Sequence, residues 1–293
     1  MNLPEFRPPP GCRETPAWTG CGFRTGKTIT RILSYEPGDS GWTEELTALH
    51  EDTDDENHYI NVASREHAIS RVKRWIASRN PVIIDIGCSS GYTLKLLRAR
   101  LPEATILGAD FIRGPLEKLG ESVPDLPLLH FDLRHCPLPD ASLDGVILLN
   151  VLEHIKEDAA ALRQIARILK PGGIAAIEVP AGPGIYDIYD KQLQHFRRYR
   201  MRDVVQRVRS AGLEVVERSH LGCLLYPAFW IVKKRNQRHL NAPPDVQKGI
   251  VAGNMRQAHD SALMNLLMRA ESQLRHLVYL PFGIRCLVTC RKP

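Results

Sequence analysis

A chain of 293 residues with 43% hydrophobic and 25% charged side chains has the make-up of a globular protein, with room for one large α/β domain plus appendages or for two small domains. No apolar run reaches about 18 residues, which argues against a membrane-spanning helix, and the N-terminus lacks the basic-then-apolar build of a secretory leader. The net charge of +6 is patchy, acidic at Asp52, Asp54, Asp55 and Glu56 and basic over 191–209 and 233–238, which points to an anionic ligand or surface at one face and away from nucleic acid.

Residues 1–57 carry prolines at 4, 8, 9, 10, 16 and 37 and read as an irregular arm with a short strand over 28–33 and a short helix over 43–50. Cys12 and Cys21 have no second C-x-x-C pair to complete a zinc ribbon, so no metal is expected there. The scattered, odd-numbered set of seven cysteines fits a reducing cytosol. Over 64–77, Ala68, Val72, Trp75 and Ile76 recur at helical spacing.

Pro81-Val82-Ile83-Ile84-Asp85-Ile86-Gly87-Cys88-Ser89-Ser90-Gly91-Tyr92 is the organising stretch. A β-branched strand ending in a carboxylate is followed by a small-residue turn, then by a helical pattern over 93–100. In such a unit backbone comes close to a ligand and helix N–H groups face it. A dinucleotide fingerprint would need glycines at 87, 89 and 92, and Ser89 and Tyr92 fail it. Strands over 105–110, 128–133, 143–150 and 173–180 alternate with helical segments, and Lys170-Pro171-Gly172-Gly173 closes a helix over 157–169. Asp85, Asp110, Asp132 and Asn150 thereby stand at the C-terminal ends of successive strands, where open parallel sheets bind ligands. Asp110, about 20 residues past the turn, is placed to accept from a ribose.

The loop over 181–200 packs tyrosines, aspartates, a histidine and arginines too densely for a solvated connection. A helix over 202–211, a strand over 213–217, an apolar run over 221–232 ahead of Lys233-Lys234-Arg235, a linker over 236–252, a helix over 258–278 and a strand over 284–290 complete the chain. The apolar run is too short to span a bilayer. It covers a substrate cleft, contacts a second subunit in a homodimer, or touches a membrane surface without stable insertion. Burial of Tyr226, Phe229 and Trp230 over the acceptor pocket or a dimer interface is expected.

Asp85-x-Gly87-x-Ser89-x-Gly91, Phe131-Asp132-Leu133, Leu138-Pro139-Asp140, Asn150-Val151-Leu152-Glu153-His154 and Leu169-Lys170-Pro171-Gly172-Gly173 together resemble the consecutive motifs of class I S-adenosylmethionine-dependent methyltransferases, with Ser89 where a glycine usually stands. The loop pattern Tyr189-Asp190-x-x-Leu193-x-His195-x-Arg197-Arg198-Tyr199 is similar to that of a bacterial subgroup of type 11. The arm resembles a zinc-ribbon junction that has lost its ligands. The resemblance implies a doubly wound, Rossmann-like sheet of seven strands, the last antiparallel, with an arm (1–57), a core (58–219), a helical insertion or lid (220–282) and a final core strand (283–293).

It further implies S-adenosylmethionine as cofactor and a cytoplasmic enzyme. Tyr59 and Arg65 would face the cofactor's carboxylate. Asp85, Gly87, Cys88, Ser89 and Gly91 would line its methionine end, with Asn150 and Val151 beside it. Asp110 with Phe111 would hold the ribose, and Asp132 with Leu133 the adenine. His154 is placed at the cofactor cleft ahead of a catalytic role. His195 is the first candidate for general base, Asp190 or Tyr186 assisting. Arg197 and Arg198, with Tyr189 and Tyr199, would bind an acceptor carboxylate or phosphate, or one arginine would pair with Asp187 or Asp190 simply to fix the loop. The expected activity is methylation of a small, anionic acceptor at oxygen or nitrogen before carbon. The rivals are a catalytically silent module of the same fold, a nicotinamide oxidoreductase and a nucleic-acid methyltransferase, the last disfavoured because Val179-Pro180-Ala181-Gly182 is unlike the loop that holds a flipped base.

Overall fold

The structure, a computed structural model, describes residues 3–35, 56, 58–258, 262–274 and 278–293. The helix expected over 43–50 lies outside the described residues. An eight-stranded sheet forms the centre, in the order β10-β11-β9-β8-β5-β6-β7-β4. Its middle is β5 (Val82–Ile86), flanked by β6 (Thr105–Asp110) and β8 (Leu143–Leu149), with β7 (Leu128–His130) beyond β6 and β9 (Leu169–Pro180) beyond β8. All these neighbours run parallel. Every residue of β5 is buried, as a parallel strand covered on both faces requires, and this is why it reads as an unbroken apolar run.

Helices cover both faces. On one, α1 (Tyr59–Trp75), α2 (Tyr92–Arg100) and α3 (Arg113–Ser122) bury Ala68, Ile69, Val72, Leu94, Leu97, Leu116 and Leu119. On the other, α4 (Asp158–Ile168) and α6 (Met201–Ser210) bury Ala161, Leu162, Ile165, Val204 and Val208. Between these two helices in sequence comes α5 (Ile188–Gln192), in the loop after β9. The last strand, β11 (Arg285–Arg291), inserts antiparallel between β9 and β10 (Glu214–Leu221).

Two expectations are corrected. The sheet has eight strands, because the arm supplies one. After a small antiparallel sheet of β1 (Ala17–Trp18), β2 (Phe23–Thr25) and β3 (Thr28–Thr30), β4 (Ile32–Ser34) pairs parallel with β7. The strand expected over 28–33 breaks at Arg31, whose guanidinium donates to the carbonyls of Gly120 and Val123. Beyond the break, Leu33 is 1% exposed and packs with Phe6 and Phe23, and the edge of β7 that would otherwise be open is covered. The second correction concerns the insertion. In place of a linker over 236–252 there are α7 (Tyr226–Gln237) and α8 (Pro244–Ala258), followed by α9 (Ala262–Leu274). Proline at a helix start and glycines at 249 and 253 hide α8 from a periodicity reading. Leu225 and Met268 pack with Leu221 against Ile60 and Ala63 of α1, so the insertion returns over the sheet's ligand-binding end. No helix among the described residues is long and apolar enough to cross a membrane.

If β4 is an integral part of the sheet, Leu33→Ala should cost about 2–5 kcal/mol in urea unfolding, within one cooperative transition. An unchanged midpoint would show that the arm contributes nothing to the stability of the sheet.

Candidate active site

The turn between β5 and α2 is held by backbone geometry. Gly87 has φ +81°, and a Cβ there would stand 2.4 Å from Val151 Cγ2. Gly91 has φ +78°, and a Cβ there would meet Leu119 Cδ1 at 2.5 Å. Ser89, with φ +42°, adopts the left-handed backbone that glycine favours. Its N–H donates to Asp110 Oδ2 at 2.9 Å, and Ile112 N–H donates to Asp110 Oδ1 at 2.9 Å. The Ser89 hydroxyl is buried with no hydrogen-bond partner among the described residues.

A cavity of about 700 Å³ opens over these strand ends. Asp85, Gly87, Cys88 and Ser89 line it from the turn, Asp110 and Phe111 from β6, and Asp132 and Leu133 from the end of β7. Asn150 and Val151 line it after β8, and Tyr59 and Arg65 from α1. Gly91 does not line it and instead seats the start of α2 over Leu119. Burial pushes the Asp132 carboxyl up, but hydrogen bonds from Arg134 outweigh this and hold it below its ordinary value. Asn150 sits at φ +54°, a backbone asparagine tolerates. Its amide donates to Glu178 Oε1, which also accepts from Ser64 and from Arg285. Arg285 lines the cavity as well.

The opposite wall comes from the loop after β9 and from the insertion. His195 Nδ1 lies 2.9 Å from Asp190 Oδ1, which also accepts from Arg198 at 2.8 Å. Asp187 and Asp190 cap α5 reciprocally. Lys233 of α7 donates to Asp187 at 2.7 Å and to Asp190 at 3.0 Å, and Asn236 donates to Asp187. Both aspartates are 0% exposed. Burial alone would raise the Asp190 carboxyl, but the His195 bond and the charges of Lys233 and Arg198 hold it well below the carboxylate range. Burial lowers His195, against the raising effect of Asp190, which favours the neutral imidazole. The His154 and His195 rings meet edge-on with centroids 4.7 Å apart. Behind them Glu153 is 0% exposed, and burial pushes its carboxyl up to about 8.

Of the residues assigned to this wall from sequence, Asp190, His154, His195, Arg198 and Tyr189 line the cavity. Burial raises the Tyr189 hydroxyl to about 12. Tyr186 does not line it; its hydroxyl donates to the His195 carbonyl at 2.8 Å. Arg197 and Tyr199 also fall outside the lining, and both bond Asp158, at 2.8 and 2.9 Å. The paired arginine clamp is therefore corrected: Arg197 is turned away, and Arg198 faces the cavity with its charge engaged by Asp190. Phe229 lines the cavity as expected of the roof, whereas Tyr226 does not and Trp230 is 45% exposed. Glu153, Glu178, Lys233, Asn236 and Arg285 were given no role by the sequence reading. The signal for Glu153 was present, since it lies inside the Asn150–His154 motif. Lys233 and Arg285 reach the site only through the fold.

Lys233→Ala should cost about 3–5 kcal/mol of stability by leaving two buried carboxylates short of a counter-charge. Guanidinium unfolding measures this, and a change of a few tenths would mean that α7 is not anchored through this pair.

Residues 84–177 match the family model described as a methyltransferase domain. The chain is 27% identical over 167 residues to a "Probable S-adenosylmethionine-dependent methyltransferase" of Mycolicibacterium smegmatis, covering 55% of this chain and 61% of that one. It is 29% identical over 131 residues to a trans-aconitate 2-methyltransferase of Azoarcus, covering 43% and 50%. It thus spans less than two thirds of the length of these relatives. Phosphoethanolamine N-methyltransferase 2 of Haemonchus contortus, solved with S-adenosylmethionine, shares the fold at a TM-score of 0.52 and 16% identity, over 78% of this chain and 52% of that one. The match at residues 84–177, around the β5 turn, is therefore to a methyltransferase domain, and the relatives that share it are named as methyltransferases.

Proposed function

We propose that the chain transfers the methyl group of S-adenosylmethionine to a small acceptor held between the strand-end rim and the Asp190–His195 wall. The observation that carries this reading is that one cavity is lined by both. The residues present suit the cofactor. The rim offers carboxylates to hydroxyls, an amine and an ammonium, and the Ser89 hydroxyl is buried without a partner beside the methionine end. A pyrophosphate would meet like charge on the same rim. The silent-module rival drew on Ser89, yet this serine keeps the left-handed turn and its N–H bond to Asp110.

The cofactor supplies an electrophilic methyl group on a sulfonium. The chain's own residues supply alignment and exclusion of water. Phe229 and Val232 of α7 close one side of the cavity, while Asp190 fixes the His195 ring so that its other nitrogen is left to act on the acceptor. An anionic acceptor is supported by the trans-aconitate enzymes among the relatives and by Lys156, which lines the cavity. Attack through oxygen or nitrogen is preferred to carbon.

S-adenosylhomocysteine should bind one per chain by calorimetry, and Asp110→Ala should weaken it by about 1.5–3 kcal/mol. Tight binding of a nicotinamide dinucleotide in its place would refute the reading. His195→Ala should lower single-turnover methyl transfer by roughly 10²–10⁴-fold with S-adenosylhomocysteine affinity unchanged. An unaltered rate would remove His195 from the chemistry.

A further inference from the structure

Three side chains on the acceptor side of the cavity converge at one point, and the general-base reading uses His195 alone of them. Glu153 and His154 belong to the short 3-10 turn Leu152–His154 after β8, and His195 lies in the loop between α5 and α6. The Glu153 carbonyl accepts from Phe196 N–H at 2.8 Å, which ties the two segments together by backbone. One donor atom from each side chain lies within 4.8 Å of the others. Glu153 is fully buried, and among the described residues its carboxylate is approached by no donor other than its own backbone N–H. Such a group is costly to leave so poorly satisfied, and protonating it would still leave its O–H without an acceptor among the described residues.

The histidine beside it is arranged as metal-binding histidines are. Its Nδ1 is taken by a carboxylate, which fixes ring and tautomer and leaves Nε2 to donate its lone pair. Asp190 is itself held by Arg198 and Lys233, so it orients the ring and is not free to become a ligand.

We propose that Glu153, His154 and His195 bind a divalent first-row transition metal ion, Zn²⁺ being the best match, with an open position toward the acceptor. Two imidazoles and one carboxylate, plus a vacant position, are the donor set of catalytic zinc and related sites. Mg²⁺ and Ca²⁺ prefer oxygen alone. Ligand atoms about 2.1 Å from a tetrahedral ion stand about 3.5 Å apart, so the trio closes by about an ångström around the ion through side-chain rotation. The role in catalysis rests on the methyl-transfer reading: an acceptor hydroxyl occupying the open position loses its proton to solvent more readily. Its oxygen then forms the new bond to the methyl carbon as the carbon–sulfur bond breaks, the electron pair staying on sulfur to give a thioether. In this arrangement Nε2 of His195 binds the ion in place of taking the acceptor's proton, and this replaces the general-base role given to it above.

The test uses the full chain freed of metal by a chelator and titrated with Co²⁺ as a coloured substitute for Zn²⁺. The visible ligand-field absorption should saturate at one Co²⁺ per chain and be displaced by Zn²⁺. Glu153→Gln and His195→Ala should each weaken binding by about 100-fold. X-ray absorption of the Zn²⁺-loaded, unsubstituted chain should show imidazole and oxygen scatterers, a readout that needs no variant to fold. Absence of Co²⁺ absorption, equal affinity in the variants, or a sulfur-ligated ion at the exposed Cys12 and Cys21 would overturn the site. S-adenosylhomocysteine binding in the same metal-free samples separates the two readings. Its presence without metal binding refutes the metal site alone, and its absence with Co²⁺ bound at the trio refutes the methyl-transfer reading alone.

Discussion

The wall of the site depends on one buried knot of charge. Asp187 and Asp190 are fully buried, and they are met by Lys233, Arg198, Asn236 and the His195 ring. Desolvating charges in this way is repaid only when every partner is in place. The loop after β9 therefore cannot hold its shape without α7, and α7 has no reason to bury a lysine without the loop. The insertion is thus more than a cover. It supplies one of the two cations that let Asp190 stay ionised, Arg198 being the other, and Asp190 in turn sets the His195 ring.

The two halves of the cavity are stabilised by different physics, and this decided how much of each could be read from the chain. The β5 turn is local. Gly87 and Gly91 need positive φ and close approach, Asp85 and Asp110 end strands, and all of this lies within one short stretch whose pattern shows in the residues. The order of the central parallel strands and the antiparallel last strand follow from the same alternation. What sequence could not show depends on partners far away. An apolar pair at Ile32 and Leu33 states that a strand is buried, but not that it extends the main sheet beside Leu128 and Leu129. Lys233 looks like one member of a basic run, and only the two aspartates 43 and 46 residues before it make it a buried ion. Glu153 was visible within its motif, but its burial, and hence its unmet hydrogen-bonding capacity, is a tertiary property.

The charges around the cavity are largely settled among themselves. Arg134 answers Asp132, Arg285 answers Glu178, and Arg198 and Lys233 answer Asp190. Such preset dipoles do not reorganise when a ligand enters, which is the condition for useful electrostatic stabilisation in a dry site. It also explains why counting arginines in the loop overstated the anion-binding capacity: most lining cations are already committed.

The fate of the adjacent arginines shows how backbone geometry overrides composition. In an extended segment neighbouring side chains point to opposite sides, and residues two apart share a side. The chain at 197–199 leads into a bridge between Tyr199 and Ala181 and follows this rule. Arg197 and Tyr199 turn together to Asp158, and Arg198 alone turns the other way to Asp190. Two consecutive arginines in such a segment cannot grip one ligand. They join two walls instead, the outer one tying the loop to α4 and the inner one anchoring Asp190, the partner of His195. Of the pair that suggested a substrate clamp, Arg198 thus serves to fix the His195 ring through Asp190, and Arg197 serves the loop's outer wall. Placing His195 so firmly has a chemical consequence: whether it takes a proton or a metal ion, its position is set before the acceptor arrives, and no binding energy is spent on ordering it.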